Sequence, residues 1–343
     1  SATRVAADKV TFTQAEVTAK DTAARAGRKN LIINGAMQVN QRGATSGITS
    51  GYFVDRFTLS ACSASAVLTS STPTEFPTAI SVSATSGNPI IFQKIESKSC
   101  QGLSGKTVTV SFYAKNISNA TTLYVKLQYA GSADSWGSST TISEQNLGSL
   151  TSGWVKYTAS WTVPAGGLNG LSLGILCAGT GTFTMGVTGV QLEVGSVATD
   201  FEHRSYGEIL ADCQRYFYNP LYNLGGSRGQ FTLDYLVSSG NNGWITWIVP
   251  FPVSMRANST FSHSLTPAKF LGSAAPADGA DNFSFYIQNQ GYAGLVGNGS
   301  IANLGGGGQY HGIVGTYYCS PSSTSASHIF IGNGCTFQFS AEL

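Results

Sequence analysis

Aromatic and polar side chains alternate with apolar ones along two nearby segments of the sequence, VTVSFYAK (108–115) and LYVKLQY (123–129). If Val110, Phe112, Val125 and Leu127 face a core, then Tyr113, Tyr124, Lys126 and Gln128 share the opposite face, because side chains alternate across a strand. Trp154 and Lys156 then lie close by. Flat rings beside amides and ammonium groups suit a sugar, which has an apolar ring face and a rim of hydroxyls. The same aromatics can equally cover a solvated sheet or fill a contact between subunits. Trp136, in AGSADSWGSS, is a further candidate for stacking on a sugar, or a plug for the end of a sandwich. Tyr292, Tyr310 and His311 belong to Gly-rich stretches, NQGYAGLVGNGS (289–300) and NLGGGGQYHGIVG (303–315), and loops on a rigid scaffold are where binding is expected. The run Gly305–Gly308 can also be a plain turn. It is not a phosphate loop, since no Lys-Ser or Lys-Thr follows it.

Bond-breaking chemistry has less to work with. Glycoside hydrolysis needs two carboxylates facing each other across the bond, and beyond residue 219 the acidic residues are Asp234, Asp278, Asp281 and Glu342. Neither a GxSxG elbow nor an HExxH helix occurs, and His203, His263, His311 and His328 have no metal-ligand spacing. The expectation is a protein without catalytic residues or cofactor. Six cysteines (Cys62, Cys100, Cys177, Cys213, Cys319, Cys335) form no CxxC pair. They read as buried free thiols of a protein assembled in a reducing cytoplasm, with a Cys319–Cys335 bridge as the alternative.

The elements that must position these residues follow from composition. Charged residues make up 10% of the 343, against about 25% in an average protein, and 41 glycines supply turns. Long exposed helices need Glu, Lys and Arg, so a surface of Ser, Thr, Asn and Gln points to an all-β fold. A net charge of +2 with no basic run argues against nucleic acid, and no apolar run approaches a membrane span.

Along the chain, residues 1–29 carry nine of the 36 charged side chains and are expected to form an attachment arm, or a frayed terminus. From 30 to 204 strand follows strand. Val108, Val110 and Phe112, then Leu123, Val125, Leu127 and Tyr129, then Val155, Tyr157, Ala159, Trp161 and Val163 should point inward, as in an antiparallel jelly-roll-like sandwich. Residues 205–219 read as a connector helix: Ser205 and Glu208 make a capping box, Ile209, Leu210, Cys213 and Phe217 a stripe, and Pro220 a stop. Residues 220–343 read as a second β-sandwich and receptor-binding tip, with GQFTLDYLV, GWITWIVPF and NFSFYIQN as strands in two sheets. Both alternating sets of GWITWIVPF are apolar, so burial on both faces is expected.

NLIINGAMQVNQRG (30–43), GYFVDRFTL, IIFQKIE, LSGKTVTVSFYAK, WVKYTASWTVP and VQLEVGSVATDFEHR (190–204) resemble, in that order, carbohydrate-binding jelly-roll modules of the galactose-binding-like type. The ending that runs from Leu192 and Glu193 through Phe201, Glu202, Arg204 and Ser205 to Cys213, Gln214, Arg215, Tyr216 and Phe217 is similar to bacteriophage tail fibre and minor tail proteins. The resemblance covers about half the chain. It implies a virion component, a homotrimer joined to other phage tail proteins, assembled in the host cytoplasm and extracellular after release, that adheres to host surface polysaccharide. The other readings are a purely structural tail or capsid part that binds virion proteins alone, and a polysaccharide depolymerase. Modules of this fold often hold a calcium ion through acidic side chains. Met37 and Gly189–Val190 stand where such acids are common, which puts calcium in doubt here.

Overall fold

The computed structural model describes residues 28–60 and 65–219, and beyond them the C-terminal strands with 256–257 and 341–343. Most of the arm, Cys62, Cys335, Asp234, Asp278, Asp281, Tyr292 and the run Gly305–Gly308 lie outside the described residues. The chain is all-β, as expected, and divides into two compact units. One comprises residues up to Gln38, Ala44–Arg204 and Leu343; the other comprises Val39–Gly43 and Ser205–Glu342.

Nine antiparallel strands build the first unit: β1 (Gly51–Tyr52), β2 (Thr58–Ser60), β3 (Ser65–Thr69), β4 (Ala79–Ala84), β5 (Ile90–Ile95), β6 (Thr107–Ser132), β7 (Ser135–Ser149), β8 (Val155–Thr162) and β9 (Leu171–Val194). The two expected strands around Tyr113 and Tyr124 are therefore halves of one strand, β6. It pairs with β9 along nearly its whole length, with β8 beside its first half and β7 beside its second.

This long strand doubles back. Val108 lies opposite Trp161 of β8, and Leu127 lies opposite Ser143 of β7. Along a straight strand Val108 and Leu127 would be about 60 Å apart. Yet the Trp161 indole N–H donates to Ser143 Oγ at 2.9 Å, and Gln145 Nε2 donates to the Ser160 carbonyl at 2.8 Å. The bend lies where the β6–β9 register shifts, between Asn116 and Thr122. There Asn119 has φ 50°, and its amide donates to the Thr182 carbonyl.

Folding both long strands produces two layers. In one, β3, β4, residues 183–194, residues 107–118 and β8 lie side by side; in the other, β1, β2, β5, residues 171–178, residues 120–132 and β7. Val108, Val110 and Phe112 from one half of β6 and Leu123, Val125 and Leu127 from the other enter a single core, with Ile80, Val82 and Ile91. Each such side chain contributes about 1.5–3 kcal/mol by leaving water. Ala159, Trp161 and Val163 are buried as expected, whereas Val155, the first residue of β8, is 39% exposed.

The end of this unit explains the polar letters of its final motif. Gln191 and Glu193 point away from the core yet are buried, because residues 195–204 fold back over them as a strap. Glu193 accepts from the Thr199 N–H (2.8 Å) and hydroxyl (2.7 Å) and from Gln191 Nε2 (2.9 Å). Gln191 accepts from the Glu202 N–H, and Glu202 accepts from the Asn30 N–H at 2.7 Å. Asn30 in turn donates to the Val190 carbonyl and accepts from the Leu192 N–H. The first and last motifs of the unit are thus one hydrogen-bonded network.

In the second unit, helix α1 (Tyr206–Gln214) has the expected capping box: Glu208 Oε2 accepts from the Ser205 N–H at 3.0 Å, and Ser205 Oγ caps the Glu208 N–H. Ile209 and Cys213 are its buried face. The helix stops at Gln214, well before Pro220, because Tyr216 and Phe217 are claimed by a sheet: β10 (Phe217–Tyr218) pairs with β20 (Phe337–Ser340), and the Tyr216 carbonyl accepts from the Ala341 N–H. Tyr218, Phe251 and Phe339 pack their rings together beside it. Residues 39–43 belong here too: Gln41 Nε2 donates to the Phe217 carbonyl, and Arg42 pairs with Glu342 at 3.1 Å.

Among the described residues, the strands of this unit fall into three hydrogen-bonded sheets, where two were expected. β20 also pairs β14 (Thr260–His263); β19 (Ser327–Ile331) lies between β11 (Gly229–Phe231) and β15 (Ser284–Ile287). In the third, β13 (Gly243–Met255) joins β12 (Tyr235–Leu236) to β18 (Tyr310–Ser320), with β16 (Gly294–Leu295) and β17 (Ser300–Leu304) also on β18. GQFTLDYLV is thereby split between two sheets. GWITWIVPF lies in β13; the faces of residues 243–250 fall outside the described side chains.

Cys100, Cys177 and Cys213 are buried thiols outside any disulfide, as expected. Burial pushes the Cys100 thiol from 9.0 up to about 12, with Asp134 and Glu96 adding to the rise against a lowering hydrogen bond at Leu171. A raised folded-state value stabilises the fold fully below the unfolded value near 9 and loses that contribution as pH climbs toward about 12. Native protein should therefore leave Cys100 unalkylated at pH 8, and Cys100→Ala should flatten the alkaline loss of stability between pH 9 and 12 in urea titrations. Glu193→Ala strands three donors and should cost about 3 kcal/mol, with faster hydrogen exchange at the Thr199 amide.

Candidate functional site

Because both halves of β6 put alternate residues into one core, what they point outward faces opposite sides of the unit. Tyr113 lies on the outside of the first layer; Tyr124, Lys126 and Gln128 lie on the outside of the second. The single face expected from alternation alone is thus two faces, separated by the fold in the strand.

On the second layer the outward side chains form a grid of three rows across four neighbouring strands. Ile90, Leu176, Tyr124 and Asn146 are in register from β5 through β9 and β6 to β7. Phe92, Gly174, Lys126 and Glu144 make the next row, and Lys94, Ser172, Gln128 and Thr141 the third. With strands ~4.8 Å apart and rows two residues apart, the grid spans about 14 Å by 14 Å. Its aromatic members, Phe92 and Tyr124, are half-buried.

The middle strand supplies the relief. Gly174 carries no side chain, and the Lys126 stem occupies that space: a Cβ on Gly174 would stand 3.2 Å from Lys126 Cγ and 3.3 Å from Ile90 Cγ2. Lys126 thus lies flat across β9. Gln128 Nε2 donates to Thr141 Oγ1 at 3.0 Å, which fixes the amide at one corner.

Trp136 belongs to this face. It is the second residue of β7 rather than a loop residue, and its ring lies 5.2 Å from the Lys94 ammonium. Lys94 also donates to the Leu343 carbonyl at 2.8 Å. The indole N–H of Trp136 is buried without a partner, the kind of donor that native structures normally satisfy. Four of the expected residues, Tyr124, Lys126, Gln128 and Trp136, are therefore brought together. Phe92, Lys94 and Glu144 complete the group. Phe92 and Lys94 lie on β5, which nothing local in the sequence places next to β9.

Tyr113 lies away from this group. Trp154 and Lys156 accompany it on the first layer: Trp154 packs over Gly186 and lies 5.0 Å below the Lys115 ammonium. Tyr310 and His311 open strand β18 rather than a loop, with their side chains outside the described set. Among the described residues, no three His, Cys, Asp or Glu side chains gather as a metal site, and no helix is long and apolar enough to cross a membrane.

No family model and no curated protein matches the sequence. Solved structures do. The enzymatically active domain of bacteriophage CBA120 tailspike protein 4 is similar over 48% of this chain at 14% identity and TM-score 0.34, and this chain spans 21% of it. The C-terminal family 22 carbohydrate-binding module of Clostridium thermocellum Xyn10B is similar over 44% of this chain and 97% of its own, at 18% identity and TM-score 0.32. The CBM22-1 xylan-binding domain of Paenibacillus barcinonensis Xyn10C is similar over 49% and 96%, at 12% identity and TM-score 0.34.

Gly174→Ala tests the grid without breaking it. The neighbours that must yield, by a few tenths of an ångström, are the flexible Lys126 stem and the Ile90 methyl, so the fold should survive with a stability change of about 1 kcal/mol. The Lys126 methylene NMR shifts should move toward free-chain values.

Proposed function

We propose that the first unit holds a glycan on the outward grid of its second layer. The observation that carries this reading is the in-register placement of Phe92 and Tyr124 among Lys126, Gln128, Glu144 and Asn146 on adjacent strands, with Trp136 alongside. Rings that present a face can stack on the apolar side of a sugar, while amide, carboxylate and ammonium groups meet its hydroxyls. The strands give this surface a fixed geometry, so little ordering entropy opposes binding.

The wider role we infer is adhesion: a virion component of a phage tail fibre or related appendage that contacts host surface polysaccharide. The ordered motifs from Asn30 to Arg204, and the similarity of the ending from Leu192 to Phe217 to tail proteins, support this reading. A homotrimer would present three such grids, and three weak sites on one particle raise avidity well above that of a single site. Residues 1–29 would join the fibre to other tail proteins. The role is one of binding, with no bond-breaking step assigned to any residue.

The test uses the full chain against host polysaccharides on a glycan array, followed by titration of the fragment that binds. Tyr124→Ala and Phe92→Ala should each weaken binding at least tenfold without loss of melting temperature beyond a few degrees. Native mass spectrometry of the same sample should give three subunits. Absence of binding to every host polysaccharide, with tight binding to another virion protein, would overturn the adhesion reading in favour of a structural part.

A further inference from the structure

The outside of the first layer holds a separate cleft of about 320 Å³. Its floor is Ser111 of β6 and Gly189 of β9, and one wall is the ring of Tyr113. The other wall is the strap, through Phe201 and His203, and two carboxylates, Glu75 and Asp200, line it from opposite segments. Beneath them Phe76 is buried, with its ring 5.4 Å from Tyr113, 5.0 Å from Phe201 and 5.8 Å from His203. Gly189, at φ 62°, forms a bulge that leaves Phe76 its space: a Cβ there would stand 2.5 Å from the ring.

We propose that this cleft is a second binding site, specific for a sugar that carries a free amine. Three observations carry it, none of which involves the grid on the opposite layer. First, the charge is negative where a ligand would enter. Two carboxylates stand against one ammonium among the lining residues, Lys156, which donates to the Thr199 carbonyl at 3.0 Å, while Lys29 outside the lining donates to the Asp200 carbonyl rather than to its carboxylate. Second, Tyr113, Phe201 and His203 surround that space with ring faces and edges, and a cation over an aromatic face is attracted by the ring's quadrupole. Third, Ser111 is 3% exposed and lines the cleft, so its hydroxyl is the polar group of the floor. A hydroxyl on the floor of a cleft can meet a ligand's hydroxyl or amine.

The electrostatics agree with the geometry. The Tyr113 phenol is held above its ordinary range by burial first, then by the charge of Glu75 and its hydrogen bond at 3.4 Å, then by Asp200. Both carboxylates therefore act on one point in the cleft. The volume lies at the small end of ligand pockets and suits one sugar ring rather than a chain. An N-acetyl group would remove the positive charge and add bulk, and glucose would lack the cation.

Full-length protein titrated with glucosamine, N-acetylglucosamine and glucose at pH 6.5 and low salt, followed by NMR, tests this directly. Glucosamine should bind saturably and at least tenfold more tightly than the other two, moving the Tyr113 and His203 ring signals. Glu75→Gln combined with Asp200→Asn should weaken it at least tenfold, and these exposed positions should leave the melting temperature unchanged. Ser111→Ala should weaken it several-fold, providing a second variant independent of charge. Tyr124→Ala, on the opposite layer, should leave glucosamine binding intact, so that failure here is distinct from failure of the grid. Equal affinity for N-acetylglucosamine, no saturable binding, or retention of affinity in the carboxylate double variant would overturn the proposal.

Discussion

The first unit depends on one constraint: two long strands, β6 and β9, must bury alternate side chains from both of their halves in the same core. A straight pair of that length would leave Val108 and Leu127 at opposite ends of a sheet with nothing to cover them. Folding over at residues 116–122 closes the core, and the Trp161–Ser143 and Gln145–Ser160 hydrogen bonds then join the two edge strands across the opening. The bend is stabilised by local polar groups, with Asn116 accepting from the Ala120 N–H and Asn119 donating to Thr182. Everything outward-facing is consequently divided between two surfaces.

Those surfaces are finished differently. On the second layer the strands themselves are the surface, and Gly174 lets a lysine lie across them. On the first layer the chain returns over the sheet, and the cost of burying Gln191 and Glu193 is offset because every strong acceptor among them receives an N–H or O–H. The strap also carries Phe201 and His203 to Phe76, which fixes the walls of the cleft. Stability of the strap and shape of the cleft are therefore one property.

Much of this was legible in the sequence. The period of two in 108–115, 123–129 and 155–163 marked the inward residues correctly except at Val155, which is exposed at the start of β8. The Ser205–Glu208 box marked the start of α1. Its end was misread because Phe217 fits a helical stripe as well as a strand, and pairing with β20, more than a hundred residues on, decides the matter. The same non-local pairing hid the bend in β6: alternation reports which side of a strand a residue occupies, but not whether two strands lie in one layer. It also hid Phe92, whose neighbours on the grid come from three other strands. Nothing local in the sequence announces the strap that buries Gln191 and Glu193.

The account's central claim is that the outward grid of the second layer is where a glycan is held. Its most direct measurement is the proton–nitrogen signal of the Trp136 indole, recorded as an oligosaccharide from the host polysaccharide is added to the full chain. The account predicts a saturable shift of that signal together with the amides of residues 92 and 124–128. Saturable binding that leaves the indole and these amides unmoved, with all changes confined to the C-terminal unit, would contradict it.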